Sequence, residues 1–183
     1  MKYIFIVLLS IFTQYSFGQK CKFEINEVDE FTGVRKIRTL ATKLNSPFNN
    51  GFNIHVALAQ SDSLSVLYVV LNTISPTIIE EGNKVYFKLS DGSIINTESP
   101  RTNVNIKGHL LSIHNVNISS CSLTNTYPID KTALEKISTL GIAKVRVEVV
   151  DGYLECDVTK KADKLFRKTT ECFLNEIIDI YEP

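Results

Sequence analysis

From Lys22 through roughly two-thirds of the chain, apolar side chains recur at every second position, the period of a half-buried β-strand. Phe52, Ile54, Val56 and Leu58 alternate with Asn53, His55, Ala57 and Ala59. Gln60-Ser61-Asp62-Ser63 supplies a turn, after which Leu64, Val66, Tyr68 and Val70 continue the alternation. Leu67, Val69 and Leu71 fill the intervening places, so this second strand is apolar on both faces and belongs at the centre of a sheet. Val85, Phe87 and Leu89 form the next run, and Asp91-Gly92 turns the chain into residues 93–96 through a two-residue hairpin loop. A polar stretch with Pro100 follows, and residues 106–118 read as one strand or a pair, bent near Gly108. Closer to the start, residues 22–30 and 34–44 flank Phe31-Thr32-Gly33 as a hairpin, and residues 46–51 form a loop containing Pro47.

The pattern changes after Tyr127. Asp130 is placed to cap a helix, because its carboxylate accepts the free amide hydrogens of a first turn. Ile129 and Leu134 have the spacing of a hydrophobic staple, Leu134, Ile137 and Leu140 make one apolar stripe, and Gly141 ends it. Residues 142–150, Asp151-Gly152 and residues 153–159 then read as a hairpin. Pairing Val150 with Tyr153 puts Val145, Val147, Val149, Leu154, Cys156 and Val158 on one face. The same register sets Glu148 opposite Glu155, and Arg146 opposite Asp157, on the other face. A last helix covers about residues 160–178, with Ala162, Leu165, Phe166, Thr169, Cys172, Phe173, Glu176 and Ile177 at helical spacing. Glu176 is the one charge in that stripe. The pattern predicts an α+β fold: a single domain, mostly antiparallel β-sheet followed by helix–hairpin–helix at the C-terminus.

The first residues change the setting of this domain. Lys2, the apolar run from Ile4 to Phe12 broken only by Ser10, and the small residues Ser16 and Gly18 have the layout of a signal peptide, with cleavage between Gly18 and Gln19. The expected organisation is a signal peptide at 1–18 and one domain at 19–183, exported to the periplasm or secreted. The apolar run is shorter than the roughly 20 residues a bilayer requires. No other run approaches that length, so no transmembrane segment is expected in the mature chain. Hydrophobic residues make up 44% and charged residues 22%, a globular and not a disordered composition. Twenty basic residues balance twenty acidic ones, which leaves no field suited to capturing nucleic acid.

Four cysteines in an oxidising compartment point to disulfides, and their long, irregular spacings are unlike those of a zinc site. Cys156 on the apolar hairpin face and Cys172 on the last helix are favoured as a pair, with Cys21 joined to Cys121. The alternatives are Cys21–Cys172 and buried free thiols.

Candidate chemistry is sparse. His109 and His114 stand five apart, which on one straight strand sends them to opposite faces, and His55 is isolated. There is no GxSxG turn and no Gly-rich phosphate loop. The opposed Glu148 and Glu155 fit a calcium or acid/base pair, but read better as a solvated face softened by Arg146 and nearby lysines. Lys160, Lys161, Lys164, Arg167 and Lys168 open the last helix, and Asn117-Ile118-Ser119 has the glycosylation pattern. The basic run fits a contact patch for an anionic lipid headgroup, a polysaccharide or a partner, but reads better as an ordinary solvated helix face, and the glycosylation pattern is assigned no role. No catalytic, metal or cofactor residue is expected. Tyr68, Tyr86 and Tyr153 are candidates for an aromatic contact patch, with Tyr68 also fitting a place in the core.

Three segments carry a resemblance: Asp29-Glu30-Phe31-Thr32-Gly33, Leu89-Ser90-Asp91-Gly92-Ser93, and Tyr127-Pro128-Ile129-Asp130 leading to Ile142-Ala143-Lys144-Val145-Arg146. Together they resemble a group of small, exported bacterial proteins of uncharacterised function, over most of the chain after residue 18. The resemblance implies one domain and an envelope address, and brings no binding residue with it. The expected role is a non-enzymatic binding or structural protein of the cell envelope or extracellular space, with an envelope or extracellular partner. The alternative is a small secreted hydrolase acting on envelope or external polymers.

Overall fold

The structure, a computed structural model, describes residues 21–46, 51–61, 64–104, 108–113 and 116–178. The expected signal peptide lies outside the described residues. In chain order the strands are β1 (Phe23–Val28), β2 (Arg35–Thr39), β3 (Thr42–Lys43), β4 (Phe52–Ser61), β5 (Leu64–Thr73), β6 (Ile78–Ile79), β7 (Lys84–Leu89), β8 (Ile94–Glu98), β9 (Asn103–Val104), β10 (Gly108–Ile113) and β11 (Val116–Pro128). Then come α1 (Lys131–Leu140), β12 (Ile142–Val149), β13 (Gly152–Asp157) and α2 (Lys160–Ile178). The architecture is α+β, and every described strand pair is antiparallel.

One sheet has the order β1-β2-β4-β5-β11-β10, with β3 also paired to β4. A second has the order β13-β12-β7-β8, and β6 pairs with β9. Cross-strand rows build the buried face of the first sheet: Ile54–Leu71–Leu123, Val56–Val69–Asn125 and Leu58–Leu67–Tyr127. In the second sheet Val145 pairs with Phe87 and Val147 with Val85, all fully buried. These rows join one hydrophobic cluster with Leu134 and Ile137 of α1 and Phe166, Phe173 and Ile177 of α2. Side chains of this size each stabilise the fold by about 1.5–3 kcal/mol when removed from water.

β5 lies inside its sheet, between β4 and β11, as expected of a central strand. Its faces are unequal, however. Leu67, Val69 and Leu71 are buried, while Val66, Tyr68 and Val70 are only half-buried. Helix α1 follows its local signals: Asp130 accepts from the Ala133 amide at 2.6 Å, Ile129 and Leu134 are both buried, and Gly141 takes φ 75° at the C-terminus.

Four expectations are corrected. β11 continues to Pro128, beyond the strand end read at Ile118, because Cys121, Leu123, Asn125 and Tyr127 alternate inward through a segment that looks polar. Asn125 is the residue that hides the pattern. It donates to Ser99 Oγ at 2.8 Å and accepts from Asn103 Nδ2, so an amide sits at the centre of the core with partners. The β7–β8 connection is longer than the expected two residues: it covers residues 90–93, with the Leu89 amide bonding Ser93 O at 2.8 Å and Gly92 at φ 90°. The β12–β13 hairpin pairs Val149 with Gly152, a shift of two positions from the expected register. A shift of two preserves which face each residue occupies and changes every partner.

The fourth correction concerns sulfur. Cys21 is bonded to Cys172, with the Cα atoms 5.7 Å apart, while Cys121 and Cys156 are free and buried. The buried side of α2 is centred on Ala162, Phe166, Phe173 and Ile177, which leaves Cys172 at its margin and Leu165 exposed. Cys172 therefore meets the N-terminal strands and not the hairpin. Glu176, one turn further on, accepts from Asn26 and pairs with Arg35 across the same seam. The charge that interrupts the apolar stripe is thus an attachment point for β1 and β2.

Candidate functional site

The second sheet buries Val85, Phe87, Val145 and Val147 on one face, so strand alternation turns Tyr86, Lys88, Lys144 and Arg146 to the other. A cavity of about 440 Å³ lies on that outer face, lined by Tyr86, Lys88, Ile94, Lys144, Arg146 and Glu155. Three cations surround one carboxylate there.

Glu155 organises the basic residues. Its Oε1 accepts from Lys144 Nζ at 2.9 Å and its Oε2 from Arg146 Nε at 2.7 Å. The hydrogen bond from Lys144, then that from Arg146, holds the Glu155 carboxyl below the ordinary carboxylate range. Lys88 takes part in no ion pair among the described residues.

Two tyrosines frame the site. The Arg146 guanidinium lies 4.3 Å from the centre of the Tyr153 ring, close enough for cation–π attraction, and Tyr153 remains 58% exposed. Tyr86 Oη donates to Glu148 Oε1 at 2.9 Å, and the Lys84 amide donates to Glu148 Oε2 at 2.8 Å. The hydrogen bond to Glu148 pushes the Tyr86 hydroxyl above its ordinary pKa, because the carboxylate favours the protonated phenol. The ring is thereby fixed as a neutral donor.

The expected Glu148–Glu155 pair does not form. Glu148 stands opposite Tyr153 and Glu155 opposite Arg146, so two like-charge neighbours are replaced by an aromatic contact and an ion pair. Asp157 stands opposite Lys144, 3.6 Å from its Nζ. Of the three candidate tyrosines, Tyr86 and Tyr153 share this face. Tyr68 lies on the outer face of the first sheet, half-buried, with the Arg38 guanidinium 6.0 Å from its ring centre.

The remaining candidates lie elsewhere. His55 is half-buried on β4, with its pKa lowered by burial and secondarily by Lys43. His109 belongs to β10, and His114 lies outside the described residues. The Asn117–Ser119 segment pairs with β10 as part of β11. In the basic run of α2, Arg167 is committed: it donates to Ser138 O at 3.0 Å and Thr139 O at 2.7 Å, capping the last carbonyls of α1. Lys160, Lys161, Lys164 and Lys168 are exposed. Among the described residues, no group of three or more His, Cys, Asp or Glu side chains is placed to hold a metal ion, and no helix is long and apolar enough to cross a membrane.

The link between Tyr86 and Glu148 escaped sequence reasoning, because it requires β7 to lie beside β12. Strand alternation did signal that both side chains face outward. No protein-family model matches the chain, and no curated protein or solved structure is significantly similar to it.

Proposed function

We propose that this chain is an exported, non-enzymatic binding protein of the cell envelope or extracellular space, and that the outer face of β13-β12-β7-β8 recognises an anionic saccharide. The observation that carries the reading is the cavity in which Lys88, Lys144 and Arg146 surround Glu155, beside the exposed ring of Tyr153. An aromatic face suits the apolar side of a sugar ring, and the cations suit its acidic substituent. Because Glu155 and Glu148 already hold Arg146, Lys144 and Tyr86 in place, little side-chain ordering is left to oppose binding.

The electrostatics favour binding over hydrolysis. Groups that transfer protons work best with pKa values near the operating pH. Here Glu155 is shifted downward and Tyr86 upward, each away from neutrality. The address rests on the N-terminal pattern, on the resemblance to small exported bacterial proteins, and on a disulfide of the kind that persists in oxidising compartments.

Calorimetric titration with polygalacturonate, and with neutral dextran as control, tests the proposal. Polygalacturonate is expected to bind and dextran to bind weakly or not at all. Tyr153→Ala and Lys88→Glu, both at exposed positions, should each weaken binding about tenfold, the scale of an interface anchor. Release of reducing ends from the polymer would favour the hydrolase. Equal affinity for both polymers, or variants that bind like the parent, would overturn the assignment of this face.

A further inference from the structure

A second cavity, of about 410 Å³, lies between the start of β1, the break between β2 and β3, and one margin of α2. Cys21 and Cys172 both line it, so the disulfide joins its two walls. Leu40 on one wall and Leu165 on the other are 49% and 52% exposed, although each is large and apolar. Lys22 and Lys168 also line the cavity, and among the described residues its lining contains no acidic side chain.

The sequence of α2 explains this margin. Lys161, Leu165, Lys168 and Cys172 are spaced four, three and four residues apart, which stacks them along one stripe of the helix. Two other charges of the same turns are engaged elsewhere. Asp163 accepts from the Ile142 amide at 2.7 Å, and Arg167 caps α1. Lys22, Lys161 and Lys168 form no ion pair among the described residues. Cations at the start of a helix oppose its dipole, so helix stability does not account for this run.

We propose that this groove binds a single-chain anionic amphiphile, with the alkyl chain against Leu40 and Leu165 and the acidic head between Lys22 and Lys168. Two features select that class. The half-exposed leucines gain by leaving water, and the unpaired lysines gain a counter-charge. A neutral amphiphile satisfies only the first and a cationic one opposes the second. The site is separate from the outer face of the second sheet and does not depend on the saccharide reading. An anionic bilayer offers the same head-group chemistry, so the two sources are tested apart.

The experiment is displacement of a fluorescent fatty-acid analogue from the oxidised protein, below the micellar concentration of each competitor. Palmitate is expected to displace it saturably, one molecule per chain, while dodecyltrimethylammonium does not. Leu40→Gln and Leu165→Gln should each weaken palmitate about tenfold, the scale of one apolar side chain. The double variant Lys22→Glu/Lys168→Glu should remove binding. All four positions are on the surface, and unchanged urea midpoints would show that the variants fold. Tyr153→Ala should bind palmitate like the parent. Absence of saturable displacement, equal uptake of the cationic amphiphile, or insensitivity to these substitutions would overturn the proposal. So would co-sedimentation with phosphatidylglycerol vesicles without uptake of monomeric palmitate, which would make the groove a bilayer-docking surface.

Discussion

Removing the Cys21–Cys172 bond through Cys21→Ser/Cys172→Ser should destabilise the protein mainly by freeing its unfolded state. The two residues are separated by 151 positions, so the bond closes nearly all of the described chain into one ring. The chain-entropy relation gives about 5 kcal/mol at 25 °C for a ring of this length. Residual compactness in the denatured chain makes that an upper bound. A domain of this size is stable by about 5–15 kcal/mol, so even half the effect is large. A native-state contribution adds to it. β1 is an edge strand with mostly exposed side chains, held by β2, by the Glu176 contacts to Asn26 and Arg35, and by this bond. Urea unfolding followed by circular dichroism is the assay, with parent and double variant side by side. The midpoint should fall and the slope should rise, because an unconstrained denatured chain exposes more surface. Hydrogen exchange should report faster opening of β1 than of β4 or β5. A loss below about 1 kcal/mol with an unchanged slope would refute the entropic argument and reduce the bond to a surface ornament.

Gly141→Ala should cost about 2 kcal/mol or more in urea unfolding, since Gly141 sits at φ 75° and a Cβ there would lie 2.5 Å from Asp163 Oδ1, the acceptor of the Ile142 amide. A variant as stable as the parent would show that Asp163 moves aside freely. Asn125→Ala should cost about 2–3 kcal/mol by the same measurement, because it empties a fully buried position and removes the hydrogen bonds to Ser99 Oγ and from Asn103 Nδ2. Glu148→Gln should move the Tyr86 titration, followed by ultraviolet absorbance, down toward its ordinary value of 10.0. The sign for stability follows from the same shift. Tyr86 has a raised folded pKa, so the bond's contribution is complete below the unfolded value and is lost as pH rises through the folded one. An unshifted titration in the variant would remove Glu148 as the cause. In the oxidised protein, Cys121 and Cys156 should resist a water-soluble thiol reagent until the chain unfolds, because both are buried and burial pushes the Cys156 thiol up to about 11. Reaction in the folded state at an unfolded-like rate would contradict that burial.

The parts of the fold that were legible in the sequence are those with local causes. Helix α1 is bounded by Asp130 and Gly141, whose effects reach no further than one turn. The faces of β12 and β13 were legible because strand alternation survives any even shift of register. The partners across the hairpin were not, since the expected loop was Asp151-Gly152 and the observed one is Val150-Asp151, with Gly152 opening β13. The sequence therefore makes Glu148 and Glu155 neighbours and does not reveal the Arg146–Glu155 ion pair at the heart of the site. The cysteine pairing is hidden for a related reason. Cys156 and Cys172 both carry apolar signatures, but which side of α2 meets which strand is decided by tertiary packing. Glu176 held the clue, because a lone carboxylate in an apolar stripe requires a cation brought from elsewhere, and here that cation is Arg35. The cavity at Tyr86 was beyond local reasoning altogether, as it exists only where β7 and β12 run side by side.

The interleaving of the two sheets imposes an order of assembly. β5 is complete early in the chain, yet its second neighbour, β11, comes only after β6 to β10. β7 likewise waits for β12, which follows α1. A polypeptide emerging amino end first therefore carries two strands with a bare edge until most of its length has appeared, and bare edges invite pairing with other chains. For such a molecule the hazardous interval is the passage itself, before β11 and β12 close the ladders, and any helper that shields nascent chains would matter most at that moment.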